Sequence, residues 1–271
     1  MNPFSDTTKV VTELRETLAA LDAVQTPDLP KPAGSQGQPA SKELAYWAVR
    51  VYGYSILCQF REMLRSALTL FDASQFPAVF LCVRGMFEMG AHAYYVKKHV
   101  FQHLANEDFE GTWQFLASVS GSSRHANEQR RAAGVANPTK IREGPHIAKV
   151  IACVNELFQR ARKNQSGRPA TDQYSLLSEY CHPNGFAFVN HIQYQKQDPG
   201  MVVKFVKPSS NVCGQVLPDA LFSCMTLLSS TTRLMKRAGD SNLGRAYLEF
   251  IHITDPEGFE GMFRRSVEER R

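Results

Sequence analysis

The sequence predicts a mainly α protein, an irregular helical bundle with one inserted β-hairpin at about residues 186–206. Three observations carry this. Most of the chain repeats its apolar residues at helical spacing. At one place the period changes to two: Phe186, Phe188, Asn190, Ile192 and Tyr194 share a strand face, Asp198-Pro199-Gly200 signals a turn, and Met201, Val203 and Phe205 mark the returning strand. Strands and helices do not alternate, which excludes a Rossmann core or a TIM barrel.

The elements follow in order. Val10, Val11, Leu14, Leu18 and Leu21 make one apolar stripe in an amphipathic helix, so residues 1–25 form an N-terminal helical arm. Residues 26–40 hold four prolines and two glycines and form a linker. The bundle domain spans 41–262. Ser41 caps its first long helix, whose inward positions include Tyr46, Val49, Gly53, Ile56, Leu57, Phe60, Leu64, Leu68 and Phe71. Arg50, Arg61 and Arg65 lie on another stripe, a solvated face or an anion-facing ridge. The next helix begins near Pro77, a first-turn proline, and runs to about Ala105. Helices follow at about 109–119, 146–163, 171–181 and 218–237, and another starts at Ser241. Leu221, Cys224, Met225, Leu228 and Met235 are the inward positions expected of 218–237. The stretch from Ser120 to Gly144 is the most basic in the chain, and residues 263–271 are a charged, frayed tail. An isolated hairpin is marginal in water, so the strands must pack on the helices or on a partner.

Composition bounds the function. The 271 residues are 43% hydrophobic and 21% charged, as in ordinary globular proteins. Lys and Arg number 31 against 26 Asp and Glu, a net charge of +5, which permits an anionic partner without demanding one. No signal peptide is visible at the start. None of the six cysteines forms a C-x-x-C pair, so a reducing cytoplasm is expected. The stretch from Ala73 to Val96 is apolar enough to imitate a membrane span, but Arg84 and Glu88 near its middle would each cost about 2.5–3.5 kcal/mol there. A buried soluble helix explains it better, and no membrane partner is expected.

Two constellations could carry chemistry. Arg84 and Glu88 are neighbours on one helix surface and border the apolar face. Their structural role would be a buried ion pair that holds the bundle in register; the alternative is a guanidinium oriented by Glu88 to hold an anion such as phosphate. In the second, Tyr174, Ser178 and Cys181 share a helix face, with His182 at the helix C-terminus and Asn184 beyond it. There the helix dipole favours a protonated imidazole, so His182 is either a cap or a general acid/base. Buried polar groups must satisfy one another, so Arg84 or Glu88 should lie within hydrogen-bonding reach of the 174–182 segment. A histidine stripe of His92, His99 and His103 lacks the Glu-x-x-His pairs of di-iron bundles, so neither a metal nor any other cofactor is expected. P-loop, dinucleotide-binding, zincin and nucleophile-elbow signatures are missing.

The runs Val83-Arg84-Gly85-Met86-Phe87-Glu88 and Leu177-Ser178-Glu179-Tyr180-Cys181-His182-Pro183-Asn184 resemble a set of uncharacterised bacterial all-helical proteins related to the HEPN superfamily. The resemblance covers roughly residues 43–185. It implies a metal-independent endoribonuclease of a toxin or defence system, acting on RNA as a homodimer. Arg84, Glu88 and His182 would then be catalytic, and Tyr174, Ser178 and Asn184 would bind. Superfamily members pair an arginine with a histidine a short interval later on one helix, whereas seven residues separate Arg84 from His92 here. The alternative is a non-catalytic protein-interaction module in which Arg84, Glu88 and His182 form a structural polar network.

Overall fold

A computed structural model describes residues 7–32, 39–121, 145–161, 170–181, 192–197, 200–206 and 216–240. Within them lie seven α-helices and one hairpin: α1 (Thr7–Asp22), α2 (Lys42–Asp72), α3 (Phe76–Ala105), α4 (Phe109–Gly121), α5 (Ile147–Ala161), α6 (Ala170–Cys181), β1 (Ile192–Gln197), β2 (Gly200–Phe205) and α7 (Leu217–Arg237). His182, Asn184, strand positions 186–191, the basic stretch beyond Gly121 and the helix expected from Ser241 lie outside the described residues, as does the tail.

α2 starts where the sequence puts it, with the Leu44 N–H donating to Ser41 Oγ at 3.3 Å. Such a cap contributes about 1 kcal/mol. α3 opens with Pro77 in its first turn, where a missing N–H is harmless. It is the hub of the bundle and packs against α2, α4, α5, α6 and α7. Val79, Val83, Met86, Ala93, Val96 and Val100 along it are wholly buried. Each large side chain among them contributes about 1.5–3 kcal/mol. Among the described residues, no helix is long and apolar enough to cross a membrane.

α1 lies on α2 and α7, with Val10, Val11, Leu14 and Leu21 buried. The chain after it is also held down. The Trp47 indole N–H donates to the Leu29 carbonyl at 2.9 Å, Lys31 Nζ sits 5.8 Å from the Trp113 ring centroid, and the Ala40 N–H donates to the Glu110 carboxylate. Of the arginine stripe of α2, Arg61 and Arg65 are neutralised locally, whereas Arg50 Nε is buried with no hydrogen-bond partner among the described residues. Arg65 pairs with Asp22 of α1 at 2.6 Å and with Glu62 at 2.7 Å, and Arg61 lies 3.8 Å from Asp22.

α7 approaches α3 closely enough that a glycine is required at 90, and it approaches α2 closely at Gly53. A Cβ on Gly90 would stand 2.9 Å from the Ser223 carbonyl oxygen, and one on Gly53 would stand 2.7 Å from Met235 Sδ. The buried face of α7 is accordingly rich in short polar side chains: Ser223, Thr226, Ser230, Thr231 and Thr232.

The hairpin is antiparallel, pairing Ile192 with Phe205, Tyr194 with Val203 and Lys196 with Met201. Those residues share one face, since strand side chains alternate. The face is open to solvent: Tyr194 is 59%, Met201 71%, Val203 44% and Phe205 81% exposed.

Candidate functional site: a closed polar triangle between α3 and α6

Arg84 and Glu88 lie one turn apart on α3, and α6 brings Tyr174 against both. Arg84 Nε donates to Glu88 Oε1 at 3.1 Å, Arg84 Nη2 donates to Tyr174 Oη at 2.9 Å, and the Tyr174 O–H donates to Glu88 Oε1 at 2.9 Å. Each member therefore binds the other two. The guanidinium also lies 5.2 Å from the Tyr174 ring centroid. α6 is seated there by Phe80 of α3 stacked on Tyr180, with ring centroids 4.4 Å apart at 15°. Ala170 and Leu177 of α6 are fully buried.

The triangle is neither sealed nor open. The Arg84 side chain keeps 25% and that of Glu88 35% of its accessible surface. Burial pulls the Arg84 pKa down, but the Tyr174 and Glu88 oxygens outweigh it and hold it above the ordinary arginine value. Arg84 thus stays a cation whose Nε and Nη2 donors are engaged within the triangle. Ser178 does not join this triangle; its hydroxyl donates to the Tyr174 carbonyl at 2.9 Å, back along its own helix. Cys181 faces the same corner. Burial raises its thiol pKa, and Arg84 opposes that only in part, so the group is a neutral thiol rather than a thiolate nucleophile. His182 and Asn184 lie outside the described residues.

The histidine stripe divides into three separate environments. The Tyr52 hydroxyl and His92 Nδ1 share a hydrogen bond of 3.0 Å. His99 packs between Tyr95 and Phe115, at centroid distances of 4.4 and 5.2 Å. His103 Nδ1 meets Asp108 Oδ2 at 2.7 Å. Burial lowers the pKa of both His92 and His99. Among the described residues, no three His, Cys, Asp or Glu side chains converge as metal ligands.

Sequence reasoning missed the Tyr52–His92 pair and the cavity of about 500 Å³ beside it, between α2, α3 and α4. The available signal was Tyr52 on the apolar stripe of α2 together with both tryptophans of the chain, Trp47 and Trp113. Nothing in the local spacing said that they would meet. No known family, no curated protein and no solved structure matches this chain.

Proposed function

We propose that the chain is a non-catalytic helical interaction protein that presents its β-hairpin to a second copy of itself. The observation that carries this is the exposed apolar face of Tyr194, Met201, Val203 and Phe205, beside a half-buried Ile192. A two-stranded hairpin does not hold itself in water, and a monomer gains nothing from leaving such a face wet. Two such faces related by a two-fold axis bury each other, as isologous interfaces do. Lys196, at the turn end of this face, then falls at the rim of the pair on opposite sides. The Arg84–Glu88–Tyr174 triangle supports the same reading, because donors and acceptors that satisfy one another are what a structural clamp needs.

Sedimentation of the full chain against Phe205→Asp and Tyr194→Asp tests it. The wild type is expected to dimerise at micromolar concentration, and each variant to remain a folded monomer. A wild-type monomer, or variants that dimerise equally well, would overturn the reading.

A second reading, a HEPN-like metal-independent ribonuclease, draws on one specific observation: Arg84 and Glu88 keep a share of solvent contact, and Cys181 beside them directly precedes His182. In it, Arg84 binds the scissile phosphate, Glu88 orients Arg84, and His182 moves the proton. Cleavage of RNA that persists in EDTA and is abolished by both Arg84→Ala and His182→Ala, with melting temperatures little changed, would establish it. Intact RNA with the wild type removes it.

A further inference from the structure

The cavity between α2, α3 and α4 has the size of a small-molecule pocket and the lining of one: aromatic walls with a few polar groups. Trp47 and Trp113 form one side, with ring centroids 6.4 Å apart at 36°. Ser55 and Gln59 lie along α2, and Tyr52, His92 and Ser120 add further polar groups. Among the described residues that line it there is no Asp, Glu, Lys or Arg side chain. Its two titratable groups are neutral at pH 7, because burial raises the Tyr52 pKa and lowers that of His92. A charged ligand would therefore lose its hydration and meet no opposite charge among the described lining residues.

The Tyr52–His92 hydrogen bond limits the ligand further. A neutral imidazole has one donor nitrogen and one acceptor nitrogen. If the Tyr52 hydroxyl donates to Nδ1, the pair keeps the Nε2–H donor and a phenol lone pair. If Nδ1–H donates to the phenol, the pair keeps the O–H donor and the Nε2 acceptor. In either tautomer one donor and one acceptor remain, and among the described residues neither has a second partner. An N–H beside a C=O on one edge of a ring answers that arrangement.

We infer that this cavity binds a neutral, planar heterocycle with a cyclic-amide edge, stacked against Trp47 or Trp113 and hydrogen-bonded by the Tyr52–His92 pair. The site is separate from the hairpin face and from the Arg84 triangle, so the inference stands or falls apart from the proposed function.

The chain supplies its own reporter, since Trp47 and Trp113 are its only two tryptophans. Three probes serve for calorimetry and tryptophan fluorescence on the full chain: uracil, 1,3-dimethyluracil, which lacks the N–H donors, and orotate, which adds a carboxylate. Uracil is expected to bind saturably and perturb the fluorescence. The other two should bind at least about tenfold more weakly, dimethyluracil because a buried polar group loses its partner and orotate because its carboxylate loses its hydration. Tyr52→Phe should weaken uracil by a similar factor, and His92→Gln serves as a second variant if the first does not fold. No saturable uracil binding, equal binding of all three probes, or full affinity in a folded variant would overturn the inference.

Discussion

Lys97 is a charge in an awkward place. It lies on the hub helix α3, with Nζ 4.5 Å from the Tyr94 ring centroid. Burial first, and the nearby Arg233 second, bring its pKa down to about 8, with Cys153 opposing. The unfolded chain keeps that proton up to about 10.5. Between about 8 and 10.5 the unfolded state therefore binds more protons, and Lys97 makes stability rise with pH across that window. Below it the full cost of the buried cation is present. Lys97→Met should raise stability at pH 7 by on the order of 2 kcal/mol, and the gain should shrink towards pH 10. Urea melts at the two pH values check both the sign and the trend. The Arg84 triangle is a milder case. Read from sequence as buried charges, Arg84 and Glu88 imply a loss of about 3–5 kcal/mol on removing one partner. Their partial exposure lets water take over, and Arg84→Ala should cost nearer 1–2 kcal/mol.

At the level of the element, the contact of α3 with α7 depends on a backbone-to-backbone approach. Gly90→Ala would drive a methyl into the Ser223 carbonyl, which cannot move without shifting α7. Gly53→Ala meets the flexible Met235 side chain instead, which can swing aside. The gain in helix propensity of about 1 kcal/mol is the same at both sites. Gly90→Ala should therefore destabilise by about 1–3 kcal/mol, while Gly53→Ala stays within about 1 kcal/mol of wild type. Thermal melts of the two variants side by side decide it; equal shifts would show that the helices are not this close. Element boundaries were legible because they depend on neighbours in the chain. Ser41 caps α2 and Pro77 opens α3 where local rules put them. The inward face of α7 was harder. Hydrophobicity pointed to Leu221, Cys224, Met225, Leu228 and Met235. Met235 is buried, and the side chains of Leu221, Cys224, Met225 and Leu228 lie outside the described residues; beside Leu227 and Leu234 the described face buries a Ser and Thr row through 223, 226, 230 and 231, whose small size suits the close approach.

On the scale of the molecule, the N-terminal helix belongs to the bundle. Leu14 is fully buried against α2 and α7, whereas Arg15 makes only an exposed pair with Asp72 at 2.7 Å. Leu14→Ala should cost about 2–5 kcal/mol and Arg15→Ala less than about 0.5 kcal/mol. Denaturant unfolding measures both; an unchanged midpoint in Leu14→Ala would mean that α1 is dispensable.

The fold class, the starts of α2 and α3, the presence of a two-stranded hairpin and the polar identity of Arg84, Glu88 and Tyr174 were legible in the sequence alone. Each depends on side-chain period, capping or a charge in an apolar run, and these act over a few residues. Tertiary structure decided which distant groups meet. Tyr174 closes on Arg84 and Glu88 across ninety positions of chain, since Arg84 donates to a hydroxyl that far along it. Tyr52 finds His92, and the two tryptophans come to wall one cavity. The hairpin face stays uncovered although its alternation alone called for burial. Local patterns state that a face is apolar or that a charge needs a partner. They cannot name the partner, because that choice follows from how α2, α4, α5, α6 and α7 all pack on α3.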